Sequence, residues 1–338
     1  MEQYSKKSRK FLNRLLPEGI RRDRTCWNAE IPKHLSARFR ELDDDALSRV
    51  RESLLEHYFK KHTAIKIEKN SELRKDLEDH LLGRLITFRK TVIPWLDNAK
   101  SLDGARILEI GCGTGASTVT LAEQGAYVTA VDISEPALTV AKKRCAEYDV
   151  KVQFVSVNAT DIQAQCSGRC FDMIIFFASL EHMTYDERIA AMKTTWDMLP
   201  EGSLWCAVDT PNRLWYSDLH TSHLPFFMWL PDDLALDYSR FSPRDSIREI
   251  DREKNDNAML SFLRRGRGVS FHEFEIAIMQ VDCLDIVSCL TEFPYEQKPT
   301  RHPYEHPYEK FLRDTCPRVP TCFYHPSLDL IIRKHCPS

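Results

Sequence analysis

Short apolar runs alternate with helix-length segments between residues 106 and 209. The runs lie at residues 107–110, 126–132, 152–157, 171–177 and 203–209. Buried parallel strands have this continuous apolar character, and each needs a crossover connection, usually a helix, to reach the next strand. The pattern therefore predicts an α/β core, in which a doubly wound, mostly parallel sheet carries helices on both faces.

Two further apolar runs, at residues 283–290 and 327–333, predict the last strands of the same sheet. Residues 214–275 have no place in a simple strand–helix alternation, so they are predicted to form an insertion after the fifth strand. A doubled His-Pro-Tyr-Glu sequence occupies residues 301–310. Its prolines predict a surface loop and disfavour a helix with both histidines on one face.

The chain ahead of the first apolar run lacks strand-like alternation and is rich in Leu, Lys, Arg and Glu. Apolar residues three and four positions apart predict helices within residues 36–60 and 71–100. We expect residues 1–85 to form a helical extension and residues 86–338 to form the main domain. The extension is either a lid over a ligand site, a packing element or an oligomer interface, and the oligomeric state stays open.

Residues 107–118 predict a buried strand that ends in a glycine-rich turn and opens a helix. Gly111, Gly113 and Gly115 lack a Cβ atom where the backbone must bend sharply and where a ligand approaches the main chain. The helix that follows offers N–H groups without partners. Such a turn is suited to a nucleotide-like ligand.

The glycine spacing alone does not identify that ligand, because Gly111, Gly113 and Ala116 also fit the fingerprint of dinucleotide-binding turns. The second apolar run ends at Asp132, whose carboxylate suits the ribose diol of either NAD or another adenosine ligand. The third run leads into a polar loop at residues 158–161, and the fourth leads into residues 178–182, which read Ala-Ser-Leu-Glu-His.

These segments, in this order, resemble the class I S-adenosylmethionine-dependent methyltransferases, whose first motif matches residues 107–115 position by position. The resemblance implies a seven-stranded sheet with an antiparallel last strand. It also implies that Glu109 and the glycines hold the methionine end of S-adenosylmethionine and that Asp132 binds the ribose. Asn158 stands where the family usually has Asp, so either Asn158 or Asp161 contacts the adenine amine. The implied cofactor positions are Glu109, Gly111, Gly113, Gly115, Asp132, Ile133, Asn158, Ala159 and Asp161.

Ligands of open α/β sheets bind beyond the carboxyl ends of the strands, so the tips of the first, fourth and fifth strands are expected to converge. The resemblance adds that the Leu-Glu-His segment faces the methyl-transfer site, and we expect residues 214–275 to cover it. The predicted acceptor-binding residues are Glu181, Asn212, Arg213, Trp215 and Tyr216. The aromatic residues either line the pocket or pack the insertion against the core, and the sequence favours neither.

Methyl transfer from a sulfonium mainly needs alignment and a lightly hydrated site. A hydroxyl or ammonium acceptor also needs a base, and histidine is the side chain tuned nearest to neutral pH. His182, His220 and His223 are the predicted candidates. A thiolate or a basic amine needs no such base, so the acceptor atom stays open.

The amino-acid composition restricts the possible binding partners of the chain only slightly. The 338 residues are 43% hydrophobic with a net charge of -3, which favours a soluble globular protein that prefers no nucleic acid. Eleven cysteines without a secretory leader predict reduced thiols and a cytoplasmic location. No cysteine pair considered has the C-x-x-C spacing of common zinc sites, so no metal is predicted. No apolar run has the length of a membrane-spanning helix.

The sequence thus predicts an S-adenosylmethionine-dependent methyltransferase that acts on a small-molecule acceptor and releases S-adenosylhomocysteine. Three alternatives stay open. They are an RNA or protein methyltransferase, an NAD-dependent oxidoreductase that uses the same glycine turn, and a non-catalytic scaffold that retains the nucleotide-binding fold.

Overall fold

The computed structural model describes residues 31–253, 255–293 and 307–335. A seven-stranded sheet with the strand order β3-β2-β1-β4-β5-β7-β6 lies at its centre. The strands are β1 (Arg106–Ile110), β2 (Tyr127–Asp132), β3 (Gln153–Ser156), β4 (Met173–Phe177), β5 (Leu204–Pro211), β6 (Asp285–Cys289) and β7 (Ser327–Arg333).

The first five strands are parallel to one another, whereas β7 pairs antiparallel with both β5 and β6. The strand order reverses between β1 and β4, which places the carboxyl ends of these two strands at the switch point of the sheet. The α/β class, the seven strands and the antiparallel closing strand are confirmed.

Strand β4 shows why the apolar runs form the middle of the sheet. All five of its residues are buried, and its side chains alternate between two apolar cores. Met173, Ile175 and Phe177 belong to the core on one face, and Ile174 and Phe176 belong to the core on the other. Because side chains of a strand point alternately to opposite faces, only a continuous apolar run fills both cores.

The helices of the main domain alternate with these strands. They are Ala116–Ala122, Glu135–Glu147, Ile162–Gln165, Tyr185–Met198, Asp232–Tyr238, Asp245–Arg248, Asp256–Leu263, Phe271–Ala277 and Pro307–Thr315. The last of these corrects the loop prediction for residues 301–310. Pro307 begins a helix because proline needs no N–H partner in a first helical turn. Residues 301–306 lie outside the described part of the chain.

The extension ahead of β1 is helical, as predicted, from residue 33 onward. Its helices are Lys33–Ser36, Asp44–Ser53, Ala64–Lys69, Ser71–Glu78, Arg84–Lys90 and Val92–Ala99, with π-helical turns at Leu54–Tyr58 and Asp79–Gly83. The helix Arg84–Lys90 continues across the predicted domain boundary after residue 85. Residues 1–30, including the basic run at residues 6–10, lie outside the described part.

These N-terminal helices pack over the glycine turn. The buried Arg144 guanidinium, on the helix Glu135–Glu147, donates hydrogen bonds to the carbonyls of His80, Leu81 and Thr114. His80 Nδ1 also lies 3.1 Å from Thr114 Oγ1. The buried side chains of Arg144 and His80 therefore make four hydrogen bonds, which join the extension, the turn and the helix Glu135–Glu147.

The insertion at residues 214–275 has a small apolar core of its own, which includes Phe227, Met228, Leu236 and Phe262. The buried Arg267 side chain crosses this core and donates to Asp232 Oδ1 and to the carbonyls of Phe227 and Leu230. In the described ranges, no helix is both long enough and apolar enough to cross a membrane.

Candidate active site

The glycine turn after β1 has a left-handed backbone at each of its three glycines. A Cβ atom on Gly111 would lie 2.3 Å from the Ser179 Cβ, and one on Gly115 would lie 2.9 Å from the Ala141 Cα. Gly113 differs, because nothing lies within 4 Å of the position its Cβ would take. Two glycines thus allow close packing of the protein, whereas the third leaves open space beside the backbone.

Asp132, at the end of β2, faces the same turn. Its Oδ2 accepts a hydrogen bond from the Gly113 N–H at 2.8 Å, and its Oδ1 accepts one from the Ser134 N–H at 2.8 Å. Each carboxylate oxygen keeps a further lone pair for a ligand hydroxyl. The next residue, Ile133, is 63% exposed and offers an apolar surface beside the carboxylate.

Glu109, on β1, lies beneath the glycine turn. Its side chain is fully buried, and its carboxylate accepts hydrogen bonds from the hydroxyls of Ser117 and Thr118 on the following helix. Burial raises the pKa of Glu109 to about 7. The carboxyl group therefore ties β1 to the helix that follows the turn, and its contact with the methionine end stays a prediction.

In the polar loop after β3, one candidate side chain is hydrogen-bonded within the protein and the other is exposed. Asn158 Oδ1 accepts from the Thr160 N–H, and its Nδ2 lies 3.4 Å from Glu187 Oε1. Ala159 is buried, whereas the Asp161 side chain is exposed. Of the two candidates for the adenine amine, Asp161 has the more accessible side chain.

A tight turn follows β4 and brings the Leu-Glu-His segment next to the glycine turn. Ala178 has a left-handed backbone, and the Ser179 hydroxyl donates to the Ile110 carbonyl at 3.0 Å. The buried Arg188 fixes the other side of the segment, because it donates to the carbonyls of Leu180 and Met183. The tips of β1 and β4 are thus adjacent, as the sequence predicted.

Glu181 lies at the centre of the acceptor side of this cleft. Its Oε1 atom is 3.7 Å from His182 Nε2 and 3.6 Å from His220 Nε2. We call these three residues the Glu181 cluster. The Glu181 side chain is fully buried, and neither of its carboxylate oxygens has a hydrogen-bond partner among the described residues.

The second nitrogen of each histidine fixes its tautomer. His182 Nδ1 lies 3.0 Å from the Arg264 carbonyl, which only accepts, so Nδ1 carries the proton. His220 Nδ1 lies 3.1 Å from the Thr221 hydroxyl, which itself donates to the Gly266 carbonyl at 3.0 Å. In the neutral state, both Nε2 atoms therefore direct a lone pair into the Glu181 cluster.

Burial dominates the electrostatics of the Glu181 cluster. It raises the pKa of Glu181 to about 8, with the nearby Asp209 charge acting in the same direction. It lowers the pKa of His182 to about 4, and a positive charge on His220 would lower it further. Burial also lowers the pKa of His220, against the opposing effect of Asp209.

A cavity of about 100 Å³ opens beside His220 at the tip of β5. Its lining includes Asp209, Asn212, Ser217, Asp218, His220 and Met228. The Asp218 carboxylate organises this wall, because it accepts hydrogen bonds from the N–H groups of His220, Thr221 and Ser222. Asp218 is a cavity-lining residue that the sequence prediction missed, although an Asp two residues before a polar run is a typical turn signal.

Other predicted acceptor residues have structural contacts. The buried Asn212 donates to the carbonyls of Phe323 and His325, and its oxygen accepts from the Leu214 N–H. Asn212 therefore fixes the chain at the cavity wall and has no amide hydrogen left for an acceptor. Arg213 is half-buried.

Trp215 and Tyr216 also lie away from the cavity lining. Both rings pack against Tyr308 on the C-terminal helix, with ring centroids 5.3 and 5.1 Å apart respectively. This contact supports the alternative in which the aromatic residues pack the insertion against the core. His223 is exposed and is not part of the Glu181 cluster. The structure therefore brings together two of the three predicted histidines.

Arg188 is a second residue that sequence analysis missed. It donates to the carbonyls of Arg267 and Gly268 and to Glu273 Oε1, in addition to the segment around Glu181. The Arg267 N–H completes the connection by donating to the Glu181 carbonyl at 2.8 Å. The only signal in the sequence is an arginine on the face of the helix Tyr185–Met198 that also carries Ala191, Met192 and Thr195, which are buried.

Comparisons with known proteins agree with this fold. Residues 107–202 match a family model described as a methyltransferase domain. The chain is 38% identical over 91 residues to a ubiquinone biosynthesis O-methyltransferase of Aromatoleum aromaticum, covering 27% of this chain and 38% of that protein. The corresponding enzyme of Dechloromonas aromatica is also 38% identical over 91 residues, covering 27% of this chain and 39% of that protein.

The matched region thus spans less than two fifths of the length of these relatives. Among solved structures, the magnesium protoporphyrin IX methyltransferase of Synechocystis PCC 6803 with bound S-adenosylhomocysteine is 24% identical, with a TM-score of 0.34. That alignment covers 41% of this chain and 61% of the other.

Proposed function

We propose that this chain, whose residues 107–202 form a methyltransferase domain of the class I type, transfers the methyl group of S-adenosylmethionine to a hydroxyl group of a small molecule. One observation carries the proposal. Gly111 lies against Ser179, two residues before Glu181, so the turn suited to the methyl donor and the Glu181 cluster are neighbours.

The donor side offers a fitting set of groups for S-adenosylmethionine. Asp132 has free lone pairs for the ribose hydroxyls, Ile133 offers an apolar surface to the adenine, and Asp161 is an exposed acceptor for the adenine amine. The open space beside Gly113 admits the methionine end without a side chain in its path. When bound there, S-adenosylmethionine supplies a methyl group on a positively charged sulfur.

The acceptor side determines what receives that methyl group. The cavity beside His220 adjoins the Glu181 cluster and is small and partly polar, so it suits one ring substituent or a short polar group of a metabolite. An acceptor hydroxyl there lies beside His220, whose Nε2 lone pair is directed into the Glu181 cluster. His223 takes no part in this proposal because it is exposed and outside the cluster.

The transfer step forms a bond between the acceptor oxygen and the methyl carbon while the bond from that carbon to sulfur breaks. The hydroxyl proton leaves to solvent, and S-adenosylhomocysteine remains. The chain contributes alignment and exclusion of water, which are the main requirements of a displacement in which charge disappears.

The names of the matched relatives support an oxygen acceptor, since both are O-methyltransferases. The methyltransferase-domain match argues against the NAD-dependent oxidoreductase alternative. Residues 31–253, 255–293 and 307–335 give no specific observation that favours RNA or protein as the acceptor.

Labelled S-adenosylmethionine tests the proposal directly. The full chain is incubated with a small-molecule extract, and labelled products are identified by mass spectrometry. We expect a labelled methyl ether or ester from the wild type, none from Asp132→Ala, and the wild-type amount from Asp197→Ala, which changes an exposed carboxylate on the helix Tyr185–Met198. A chain that binds S-adenosylhomocysteine but labels nothing would instead support the non-catalytic scaffold.

A further inference from the structure

We infer that the Glu181 cluster is a binding site for a divalent transition-metal ion, with Glu181, His182 and His220 as its three protein ligands. The site itself is independent of the proposed function. Its role, which is to hold and acidify the acceptor hydroxyl, rests on that function.

Distances within the cluster suit one small ion. The three ligand atoms lie within 4.8 Å of one another, and the two measured carboxylate–imidazole separations are 3.7 and 3.6 Å. Ligand atoms about 2.0–2.2 Å from a tetrahedral zinc ion lie roughly 3.3–3.6 Å apart. The two carboxylate–imidazole separations therefore need to change by only a few tenths of an ångström to fit this coordination.

The arrangement of the cluster also favours a cation. Two imidazole lone pairs and a carboxylate point toward one another, and the described residues place no hydrogen-bond donor between them. A buried carboxyl group with two unpartnered oxygens is rare, because nothing replaces the water that it lost. A metal ion between the three groups would satisfy both the carboxylate and the lone pairs.

Supporting contacts resemble those of established metal centres. Histidine ligands usually donate their second N–H to a carbonyl or hydroxyl oxygen, which fixes the ring. His182 does so to the Arg264 carbonyl, and His220 does so to Thr221. The ligand segment around Glu181 is held by Arg188 and by the Arg267 N–H.

The ligand set indicates the type of metal. Two imidazoles with one carboxylate suit zinc, cobalt, iron or manganese, whereas magnesium and calcium prefer oxygen ligands. Three protein ligands leave at least one position open, which is typical of catalytic sites. His220 borders the cavity, so the open position faces the acceptor. A metal ion there would lower the pKa of a bound hydroxyl and remove the need for a histidine base.

Metal binding is measured on the full chain after removal of any affinity tag and dialysis against a chelator. Isothermal titration with Zn²⁺ and with Co²⁺, followed by elemental analysis, is expected to give one ion per chain. The visible spectrum of the cobalt form is expected to show the strong absorption of a four- or five-coordinate ion. Mg²⁺ is expected to bind far more weakly than either.

Matched variants distinguish zinc binding at this site from nonspecific zinc binding elsewhere on the protein. We expect His220→Ala and Glu181→Gln to weaken zinc binding by at least about 10-fold, since loss of even a supporting contact has this effect. His223→Ala removes an exposed histidine of the same loop and is expected to bind zinc like the wild type. Zinc is expected to raise the melting temperature of the wild type and of His223→Ala, and not that of Glu181→Gln.

The inference is overturned if neither ion binds the wild type, or if His220→Ala and Glu181→Gln bind zinc as tightly as His223→Ala. Folding does not obscure the result, because Glu181→Gln keeps the shape of the side chain and places no charge in the buried site. Calorimetry with S-adenosylhomocysteine on the same samples distinguishes the two proposals. Cofactor binding without zinc binding refutes the metal site alone, and zinc binding without cofactor binding refutes the proposed function alone.

Discussion

The two sides of the cleft are built in different ways. The donor side, which comprises residues 111–115, Asp132 and residues 158–161, depends on contacts such as Gly113 to Asp132, only 19 positions apart. The acceptor side, which comprises the Glu181 cluster and the cavity, depends on contacts such as Arg264 to His182, which are 82 positions apart. A short sequence motif therefore specifies the donor side, whereas the acceptor side forms only when the insertion folds onto the sheet.

Of the proposed variants, Arg188→Met is expected to destabilise the acceptor side most. The change leaves Glu273 buried without its ion pair and several carbonyls without a donor, at a cost of about 3–5 kcal/mol. Denaturant unfolding measures this loss, and hydrogen exchange is expected to rise at residues 180–183 and 267–268. Lys193→Met, at an exposed position of the same helix, serves as the control and is expected to leave both measurements unchanged.

The variants Gly111→Ala and Gly113→Ala distinguish two roles of the glycines on the donor side. Gly111 allows close packing, whereas Gly113 leaves space for a ligand. At Gly111, the left-handed backbone and the clash with Ser179 are expected to destabilise the protein by about 2–4 kcal/mol. At Gly113, only the backbone strain of about 1–2 kcal/mol applies, but the new methyl group enters the space assigned to the donor.

Thermal unfolding and calorimetry with S-adenosylhomocysteine measure both effects. Gly113→Ala is expected to fold and to bind the cofactor product poorly. Undiminished binding by that variant would show that the open space beside Gly113 is not the donor site.

Asp132→Asn tests the donor side with a smaller change. The amide keeps the size of the side chain and loses the charge that accepts from the Gly113 N–H and would accept from the ribose. Loss of a hydrogen bond to a charged group costs about 1.5–3 kcal/mol, so the dissociation constant for S-adenosylhomocysteine is expected to rise by roughly 10- to 100-fold. Zinc binding is expected to be unaffected, since Asp132 is not part of the Glu181 cluster.

The smallest effect is expected where the N-terminal extension meets the insertion. Glu72 Oε1 accepts from Arg244 Nε at 2.8 Å and from the Ser246 hydroxyl at 2.9 Å. Because both partners of the ion pair are about one-third exposed, Glu72→Gln is expected to cost less than about 1 kcal/mol.

A changed KM for the acceptor without a changed affinity for S-adenosylhomocysteine would support a covering role for the extension. Glu68→Gln alters a neighbouring exposed carboxylate and is the matched control. Equal kinetic effects of Glu68→Gln and Glu72→Gln would contradict that role.

The fold was predictable because its signals are local. Each buried strand is a continuous apolar run, as Met173–Phe177 illustrates, and the glycine turn follows directly after β1. The burial of Glu109 was not predictable, because it depends on the Ser117 and Thr118 hydroxyls that a helix turn brings beneath the carboxylate.

The candidate site was predictable only in part. The sequence named Glu181, His182 and His220 separately, and their meeting depends on long-range contacts made by Arg188 and Arg267. Asn212 was predicted to bind the acceptor, but its amide is saturated by the chain around Phe323 and His325. Neither set of contacts is visible in a local pattern, since both depend on which distant backbone packs against the residue, and acceptor binding by Asn212 stays a prediction.

The central claim is that one cleft holds the methyl donor between the glycine turn and the Glu181 cluster. A crystal structure of the full chain with S-adenosylhomocysteine tests this most directly. We predict ribose hydroxyls bonded to Asp132, and the sulfur between Gly113 and the cavity beside His220. S-adenosylhomocysteine bound elsewhere, or oriented with its ribose away from Asp132, would contradict the account.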